Sequence, residues 1–250
     1  IETFAINRYN SGINGYGRNY MKQEFYYKSA DNITQVHVIK WVPEGKIRGI
    51  LQVSHGMLEH IERYDEFASF MSANGILVAG NDHLGHGSSL ISEQNRGFFS
   101  ENEGNKTILS DIHNLRCLLR EEYKEIPYFL LGHSMGSFLV RQYITLYGKS
   151  IDGVIIVGTG QQPYVLVKMG LMLTKLISLF KGNRYRSKLV NYLAIGSYNN
   201  HFKPNRTAVD WLSRDEKVVD AYIRDKRIDF IFTLNAYTNM FAGMLELYDS

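Results

Sequence analysis

The chain has 250 residues, 44% of them hydrophobic, and a formal net charge of +3. This length allows a sizeable core in one or two domains, and so small a net charge argues against a dedicated nucleic-acid-binding protein. The single cysteine, Cys117, excludes an internal disulfide and predicts a reducing compartment such as the cytoplasm.

The first fifth of the chain predicts an irregular arm followed by three strands. Residues 1–21 are rich in glycine and asparagine, which favour turns over regular structure. Residues 24–28 and 34–41 are predicted to form a hairpin around a polar turn. The apolar run over residues 47–54 predicts a third, buried strand.

Buried strands then alternate with amphipathic helices as far as residue 160. The predicted elements are a helix that ends at Asn74-Gly75, a strand over 76–79, a helix over about 107–123, a strand that ends at Gly132, a helix that follows Ser134, and a strand over 153–157. Such alternation is typical of a mostly parallel sheet wrapped by helices, with the leading hairpin adding antiparallel strands at one edge. The predicted fold class is therefore α/β.

One segment of this alternation carries a catalytic pattern, Gly132-x-Ser134-x-Gly136. Alone it is a weak signal, because a plain Gly/Ser turn has the same residues. Its strand–turn–helix setting is the context that a nucleophile elbow needs. The two glycines allow close backbone approach, and the following helix directs its N-terminal amides at a negative oxygen formed near the serine. Ser134 is therefore the predicted nucleophile.

A serine nucleophile also needs donors for the developing oxyanion, and two backbone N–H groups are candidates. One is the N–H of Met135, and the other is the N–H of Met57, in the loop after the third predicted strand. His55, Glu59 and His60 in that loop also suggest a metal site. Their spacing is not that of two metal-binding histidines on a helix, and no cysteine or further carboxylate joins them. We therefore predict no metal and expect these side chains to hold the loop by hydrogen bonds.

The loop over residues 81–89 follows the next buried strand and lies at the carboxyl end of the sheet, the functional rim of such folds. Asp82 and His83 could form a catalytic pair there. Gly85 and Gly87, on either side of His86, indicate turn chemistry instead. A structural role for this loop is the favoured interpretation.

The alternation stops after residue 160, and a different kind of segment begins. Residues 165–180 are almost entirely apolar but too few to span a bilayer, so they are either a helix buried in the core or a lid that faces the substrate. Residues 153–209 contain no acidic side chain and carry +8, which leaves −5 for the rest of the chain. The eight basic residues are Lys168, Lys175, Lys181, Arg184, Arg186, Lys188, Lys203 and Arg206.

An apolar helix with basic flanks suits peripheral docking on an anionic membrane. A solvated basic face that balances the acidic residues of 210–229 is the alternative.

Four segments together resemble the monoacylglycerol lipase and lysophospholipase group of the α/β-hydrolase fold: 53–60, Arg63-Tyr64, 82–88 and 131–136. The stretch 196–215 also resembles bacterial lysophospholipases. The resemblance implies an α/β-hydrolase core over 1–160, an inserted helical cap over 161–240 and the start of a return to the core over 241–250. It implies Ser134 as nucleophile, Met57 and Met135 as oxyanion donors, a fatty-acid ester as substrate, and no cofactor.

In this family the triad runs in the order Ser, Asp, His, with the acid and the base after strands beyond the cap. The only histidine after the elbow is His201, in the predicted cap, and Asp152 precedes its strand, at the wrong end of the sheet. Neither is assigned a catalytic role. The sequence predicts that the last strands, with the triad Asp and His, lie beyond Ser250.

The leading functional hypothesis is a serine carboxylic-ester hydrolase that acts on monoacylglycerols or lysophospholipids. A serine at the elbow excludes the α/β-hydrolase enzymes that use an aspartate nucleophile. Thioesterase, peptidase and acyltransferase chemistry on the same fold stay open, and so does a non-catalytic hydrolase-like protein.

Overall fold

The computed structural model describes residues 3–13 and 19–248. The strands are β1 (Thr3–Ile13), β2 (Asn19–Lys28), β3 (Gln35–Pro43), β4 (Gly49–Ser54), β5 (Ile76–Asn81), β6 (Tyr128–His133) and β7 (Gly153–Val157). The α-helices are α1 (Asp65–Ala73), α2 (Gly104–Glu122), α3 (Met135–Tyr147), α4 (Tyr164–Lys181), α5 (Lys188–Ala194), α6 (Glu216–Arg224) and α7 (Leu234–Glu246).

The described strands form one sheet in the order β1-β2-β3-β5-β4-β6-β7. β5, β4, β6 and β7 are parallel neighbours, whereas β1, β2 and β3 pair antiparallel at the other edge. Because β2 runs in the same direction as the parallel strands, the sheet is mostly parallel. The α/β prediction and the antiparallel leading hairpin are confirmed.

Successive side chains of β4 enter two different cores, one on each face of the sheet. Ile50 belongs to the larger core, which includes side chains of α2, α3 and α7. Leu51 and Val53 belong to the smaller one, which includes Ala68 of α1. This alternation is the period of two expected of a strand. The buried apolar run of β4 therefore follows from helices on both faces of the sheet.

The prediction of an irregular arm over residues 1–21 is wrong for most of its length. β1 pairs antiparallel with β2 along the edge of the sheet, and β2 itself begins at Asn19, five residues earlier than predicted. The pairing uses backbone groups, so glycine and asparagine in β1 do not prevent it. Residues 1–2 and 14–18 of the predicted arm lie outside the described residues.

The helix predicted over residues 165–180 is α4, and it lies on the surface. Only Val167 and Thr174 of α4 are buried. Large apolar side chains along its length are exposed, and those of Leu179 and Phe180 reach 80%. The interpretation of α4 as a helix buried in the core of this chain is therefore wrong.

α7 joins the helices on the larger core. Leu234, Ala236 and Tyr237 are buried in it, and the ring of Phe241 lies 3.2 Å from the ideal Cβ position of Gly170 in α4. α7 therefore supports the inner face of α4. The division of the chain into a core and a cap stays a prediction.

Candidate active site

Ser134 lies at a sharp turn between β6 and α3. Its φ of 52° and ψ of −118° are strained for a residue with a side chain. Its N–H donates to the carbonyl of Val157 at 3.0 Å, and its own carbonyl accepts the N–H of Ser137 at 2.9 Å. The side chain is half-buried. The predicted elbow geometry is therefore present at the carboxyl end of β6.

The two glycines of the elbow lie where no side chain fits. A Cβ at Gly132 would lie 2.5 Å from the carbonyl oxygen of Gly136, and a Cβ at Gly136 would overlap the carbonyl oxygen of Ser54. Because Ser54 is the last residue of β4 and pairs with Gly132, the start of α3 lies directly against the end of β4. The close approach predicted from the sequence is confirmed.

The loop after β4, residues 55–60, lies against the elbow. An ideal Cβ at Gly56 would lie 3.1 Å from the Cβ of Ser134. Met57 follows in this loop, and Leu58 has a φ of 54°, which a leucine rarely adopts. Met135 is the first residue of α3, so its N–H is one of the four that have no partner within the helix. The two segments that carry the predicted donors, Met57 and Met135, are thus neighbours.

The carboxylate of Glu59 connects this loop to the elbow. It accepts the N–H of Gly56 at 2.8 Å and the hydroxyl of Tyr64 at 2.9 Å. Its other oxygen lies 3.2 Å from Nδ1 of His133. Burial would raise the pKa of Glu59, but the hydrogen bond and charge of His133 and the Gly56 amide lower it to about 2. The hydrogen bond from Glu59 in turn raises the pKa of His133.

Three histidines form a buried group behind the loop. The rings of His55 and His83 have centroids 4.2 Å apart, and those of His55 and His86 are 5.2 Å apart. Burial lowers the pKa of His83 to about 3 and of His86 to about 4, and holds that of His55 well below its ordinary value. All three rings are therefore neutral at pH 7. His55 Nδ1 lies 2.8 Å from the Gly56 carbonyl, and its Nε2 accepts the N–H of His83.

Asp82 pairs with His37 rather than with the adjacent His83. Its carboxylate lies 2.8 Å from Nδ1 of His37 and accepts the backbone N–H groups of Ile61 and Ser88. Burial would raise the pKa of Asp82, but its bond to His37 contributes to lowering it to about 2. Every contact of this carboxylate fixes a loop or a strand end. The structural interpretation of this loop is therefore favoured by its geometry.

The C-terminal end of α6 and the residues just after it lie against the loop after β4 and the turn that follows that loop. Their side chains form hydrogen bonds and ion pairs with residues 58–62. The three contacts are His60 Nε2 to Asp225 at 2.7 Å, Arg227 to Glu62 at 2.6 Å, and the Tyr222 hydroxyl to the Leu58 carbonyl at 3.2 Å. A polar cavity of about 240 Å³ lies beside these contacts and is lined by Glu24, His37, His60, Glu62, Asp82 and Arg227, among others.

The described residues do not bring a base to Ser134. Within residues 3–13 and 19–248, no side chain hydrogen bonds to its hydroxyl, and the neighbouring ring of His133 bonds to Glu59 instead. His201 is exposed in a 3₁₀ turn, Gly196–Phe202. Asp152 accepts the N–H of Tyr128, the first residue of β6, so it lies at the end of the sheet opposite Ser134. The predicted position of Asp152, at the end of the sheet away from Ser134, is confirmed.

The family model described as serine aminopeptidase, S33 (Hydrolase_4) matches residues 45–250 of the chain. This chain belongs to that family. Its fold and motifs are those of a monoacylglycerol-lipase-like α/β-hydrolase, so the resemblance stated from the sequence is confirmed.

Two curated relatives of this α/β-hydrolase are lipases. Monoglyceride lipase of Rattus norvegicus is 39% identical over 103 residues, which cover 38% of this chain and 30% of that protein. Monoacylglycerol lipase of Mycolicibacterium smegmatis is 27% identical over 188 residues, which cover 75% of this chain and 59% of that protein. The aligned part of the chain thus spans between about a third and three fifths of these relatives.

Solved structures match the α/β-hydrolase over most of its length. A thermostable carboxyl esterase from Bacillus coagulans, in complex with glycerol, superimposes with a TM-score of 0.81 at 28% identity and covers 90% of this chain and 72% of that one. A soluble variant of monoglyceride lipase from Saccharomyces cerevisiae gives a TM-score of 0.60 at 19% identity, with 90% and 68% covered. The second match, at so low an identity, shows the fold alone.

Two features of the α/β-hydrolase site were missed by sequence reasoning. These are the contact of Glu59 with His133 and that of Asp82 with His37, which join residues 74 and 45 positions apart. The polar residues of the loops predicted hydrogen bonds, but nothing in the sequence indicated which residue each carboxylate would contact. In the described part of this chain, no helix combines the length and the apolar character needed to cross a membrane.

Replacing Gly136 with alanine should destabilise the α/β-hydrolase by roughly 1–3 kcal/mol, because the new methyl group must displace the backbone at Ser54 and His55. The measurement is the free energy of unfolding in urea. Gly160→Ala is the matched control, since no atom lies within 4 Å of its Cβ position. Equal stability of the two variants would contradict the close approach of α3 to β4.

The buried neutral histidines should make the fold acid-labile. Since their pKa values are lowered in the folded state, the stability they contribute is full above about pH 6.5 and declines as pH falls toward 4 for His86 and 3 for His83. His86→Phe should reduce the slope of unfolding free energy against pH in this window, by up to about 1.4 kcal/mol per pH unit. The exposed His201→Phe is the control, and an unchanged slope in His86→Phe would refute the explanation.

Proposed function

We propose that this protein hydrolyses a carboxylic ester of a lipid, a monoacylglycerol or a lysophospholipid, through an acyl-enzyme on Ser134. The observation that carries the proposal is the strained backbone of Ser134, which directs the residue out of the junction between β6 and α3. The lipase names of the curated relatives and the esterase with the similar structure support the choice of an ester.

In the proposed reaction the hydroxyl oxygen of Ser134 attacks the ester carbonyl as a base takes the hydroxyl proton. The carbonyl oxygen becomes negative and accepts hydrogen bonds from the N–H groups of Met57 and Met135. Collapse of this intermediate breaks the bond to the alcohol, which leaves with the proton from the base. Water then attacks the acyl-enzyme in the same way and releases the fatty acid. The base and its orienting carboxylate are not assigned among residues 3–13 and 19–248.

The same chain is proposed to consist of a hydrolase core over residues 1–160 and a helical cap over 161–240. α4 supplies the apolar outer face of this cap, and only two of its side chains are buried. Residues 153–209, most of which lie in the proposed cap, also carry eight basic side chains and no acidic one. We place this face on an anionic lipid surface, from which an acyl chain could pass to Ser134.

Ser134→Ala in the full-length protein should abolish covalent labelling by a fluorophosphonate, because no other residue is proposed to form the adduct. Labelling is measured by mass spectrometry of the modified peptide. Gly160→Ala, whose added methyl group meets no neighbouring atom, is the control and should label like the wild type. Absence of an adduct at Ser134 in the folded wild type would end the proposal and favour a non-catalytic protein.

A substrate panel separates the proposed esterase from the other chemistries of the fold. Acyl esters of several chain lengths, acyl thioesters and aminoacyl amides are compared by kcat/KM. Preference for esters with a long acyl chain supports the proposal. Preference for thioesters or amides would assign a thioesterase or peptidase function to the same Ser134.

Binding to vesicles tests the proposed cap surface. The wild type should bind phosphatidylglycerol-containing vesicles more than neutral ones, and less as salt increases. Replacing Leu179 and Phe180 together with serine should weaken this binding roughly tenfold, because both side chains would lose an apolar environment. The control replaces Ile91 and Leu146, which are also exposed, with serine. Equal cosedimentation on neutral and anionic vesicles would contradict the proposal.

A further inference from the structure

We propose that Glu59 is a positioning residue that fixes the loop after β4 against the elbow and thereby sets the distance between the Met57 N–H and Ser134. This inference rests on the proposed ester hydrolysis. The carboxylate holds three separate parts of the chain: Gly56 in the loop, Tyr64 just before α1, and His133 at the end of β6.

The two backbones that Glu59 joins are both strained. Leu58, just before Glu59, and Ser134, just after His133, have φ values of 54° and 52°. Non-glycine residues keep such angles only where their surroundings hold them. The contact of Glu59 with His133 therefore links the residue after Leu58 to the residue before Ser134. Through this contact, one side chain holds the two strained turns in a fixed relative position.

Gly56 lies inside this set of contacts. The ideal Cβ position of Gly56 is 3.1 Å from the Cβ of Ser134 and 3.3 Å from both Oε2 of Glu59 and Nδ1 of His133. The loop therefore approaches the elbow at the place where Glu59 accepts the Gly56 N–H. If the carboxylate were removed, the loop would lose its only side-chain acceptor for that N–H among the described residues, and Met57 would be free to move with Gly56.

The charge of the Glu59 carboxylate makes its contact with His133 stronger than a hydrogen bond between neutral groups. Glu59 is 16% exposed and His133 is 37% exposed, so solvent screens the pair only in part. Hydrogen bonds in which the acceptor is an ionised carboxylate are shorter and stronger than neutral ones. A glutamine at position 59 keeps an acceptor for Gly56 but loses the attraction to His133, so it should restore only part of the positioning.

The test uses the full-length protein and two substrates, a p-nitrophenyl ester and its thiono analogue, in which sulfur replaces the carbonyl oxygen. Sulfur is a weaker hydrogen-bond acceptor, so the ratio of kcat for the oxygen and sulfur substrates reports how well the oxyanion is held. Glu59→Ala should lower kcat for the ester roughly 10- to 100-fold with little change in KM. The oxygen-to-sulfur ratio should fall roughly tenfold, and Glu59→Gln should give an intermediate ratio.

Asp111→Asn is the matched control, because Asp111 is another buried carboxylate, which bonds Ser29 and Ala30 in the turn between β2 and β3. It should change stability without changing the ratio. A wild-type ratio in both folded Glu59 variants would overturn the proposal and leave ester hydrolysis standing. If the alanine variant does not fold, the glutamine variant decides by the same ratio. If the wild type hydrolyses neither substrate, the proposed function fails, and the inference fails with it.

Discussion

The contact between the first turn of α3 and the last residue of β4 is the constraint on which the rest of the candidate site depends. There is no room for a Cβ at Gly136, because the Ser54 carbonyl occupies that space. Because α3 begins so close to the end of β4, the turn between β6 and α3 must be tight, and Ser134 takes a positive φ. The same contact brings the loop after β4 beside Ser134. One steric constraint thus produces both the strained, half-buried serine and its neighbouring backbone amides.

This arrangement also explains why charged and polar groups are buried around the loop. Hydrogen bonds join loop backbone groups at the carboxyl end of the sheet to the side chains of Asp82, Glu59 and His55. Loop backbone without secondary structure must find partners for its N–H and C=O groups when it is buried. The histidines achieve this in neutral form, whereas the carboxylates are kept charged by their histidine partners. The rim of the sheet is therefore a rigid, hydrogen-bonded platform for Ser134.

The sequence predicted the central sheet and the elbow because both are encoded locally. The buried strands β4, β5 and β6 are short apolar runs, and the Gly-x-Ser-x-Gly pattern specifies its own turn. β7 forms where its apolar run predicts a strand, but the prediction that it is buried is wrong, because residues 154–157 are exposed. β1 was not predicted, since an edge strand depends on backbone pairing with β2 more than on its own side chains. The sequence likewise did not determine whether α4 is buried or exposed. A helix in a core and a helix on a lipid-binding surface can have the same apolar composition. The contact of Asp82 with His37 depends on the register between β3 and β5, which the sequence alone does not specify.

Ser134 and the backbone amides of Met57 and Met135 are proposed to act on one carbonyl group. A crystal structure of the full-length protein after reaction with an alkyl fluorophosphonate tests this most directly. We expect phosphorus bonded to Oγ of Ser134, with the phosphonyl oxygen about 2.7–3.1 Å from both amide nitrogens. An adduct on another residue, or a phosphonyl oxygen directed away from both amides, would contradict it.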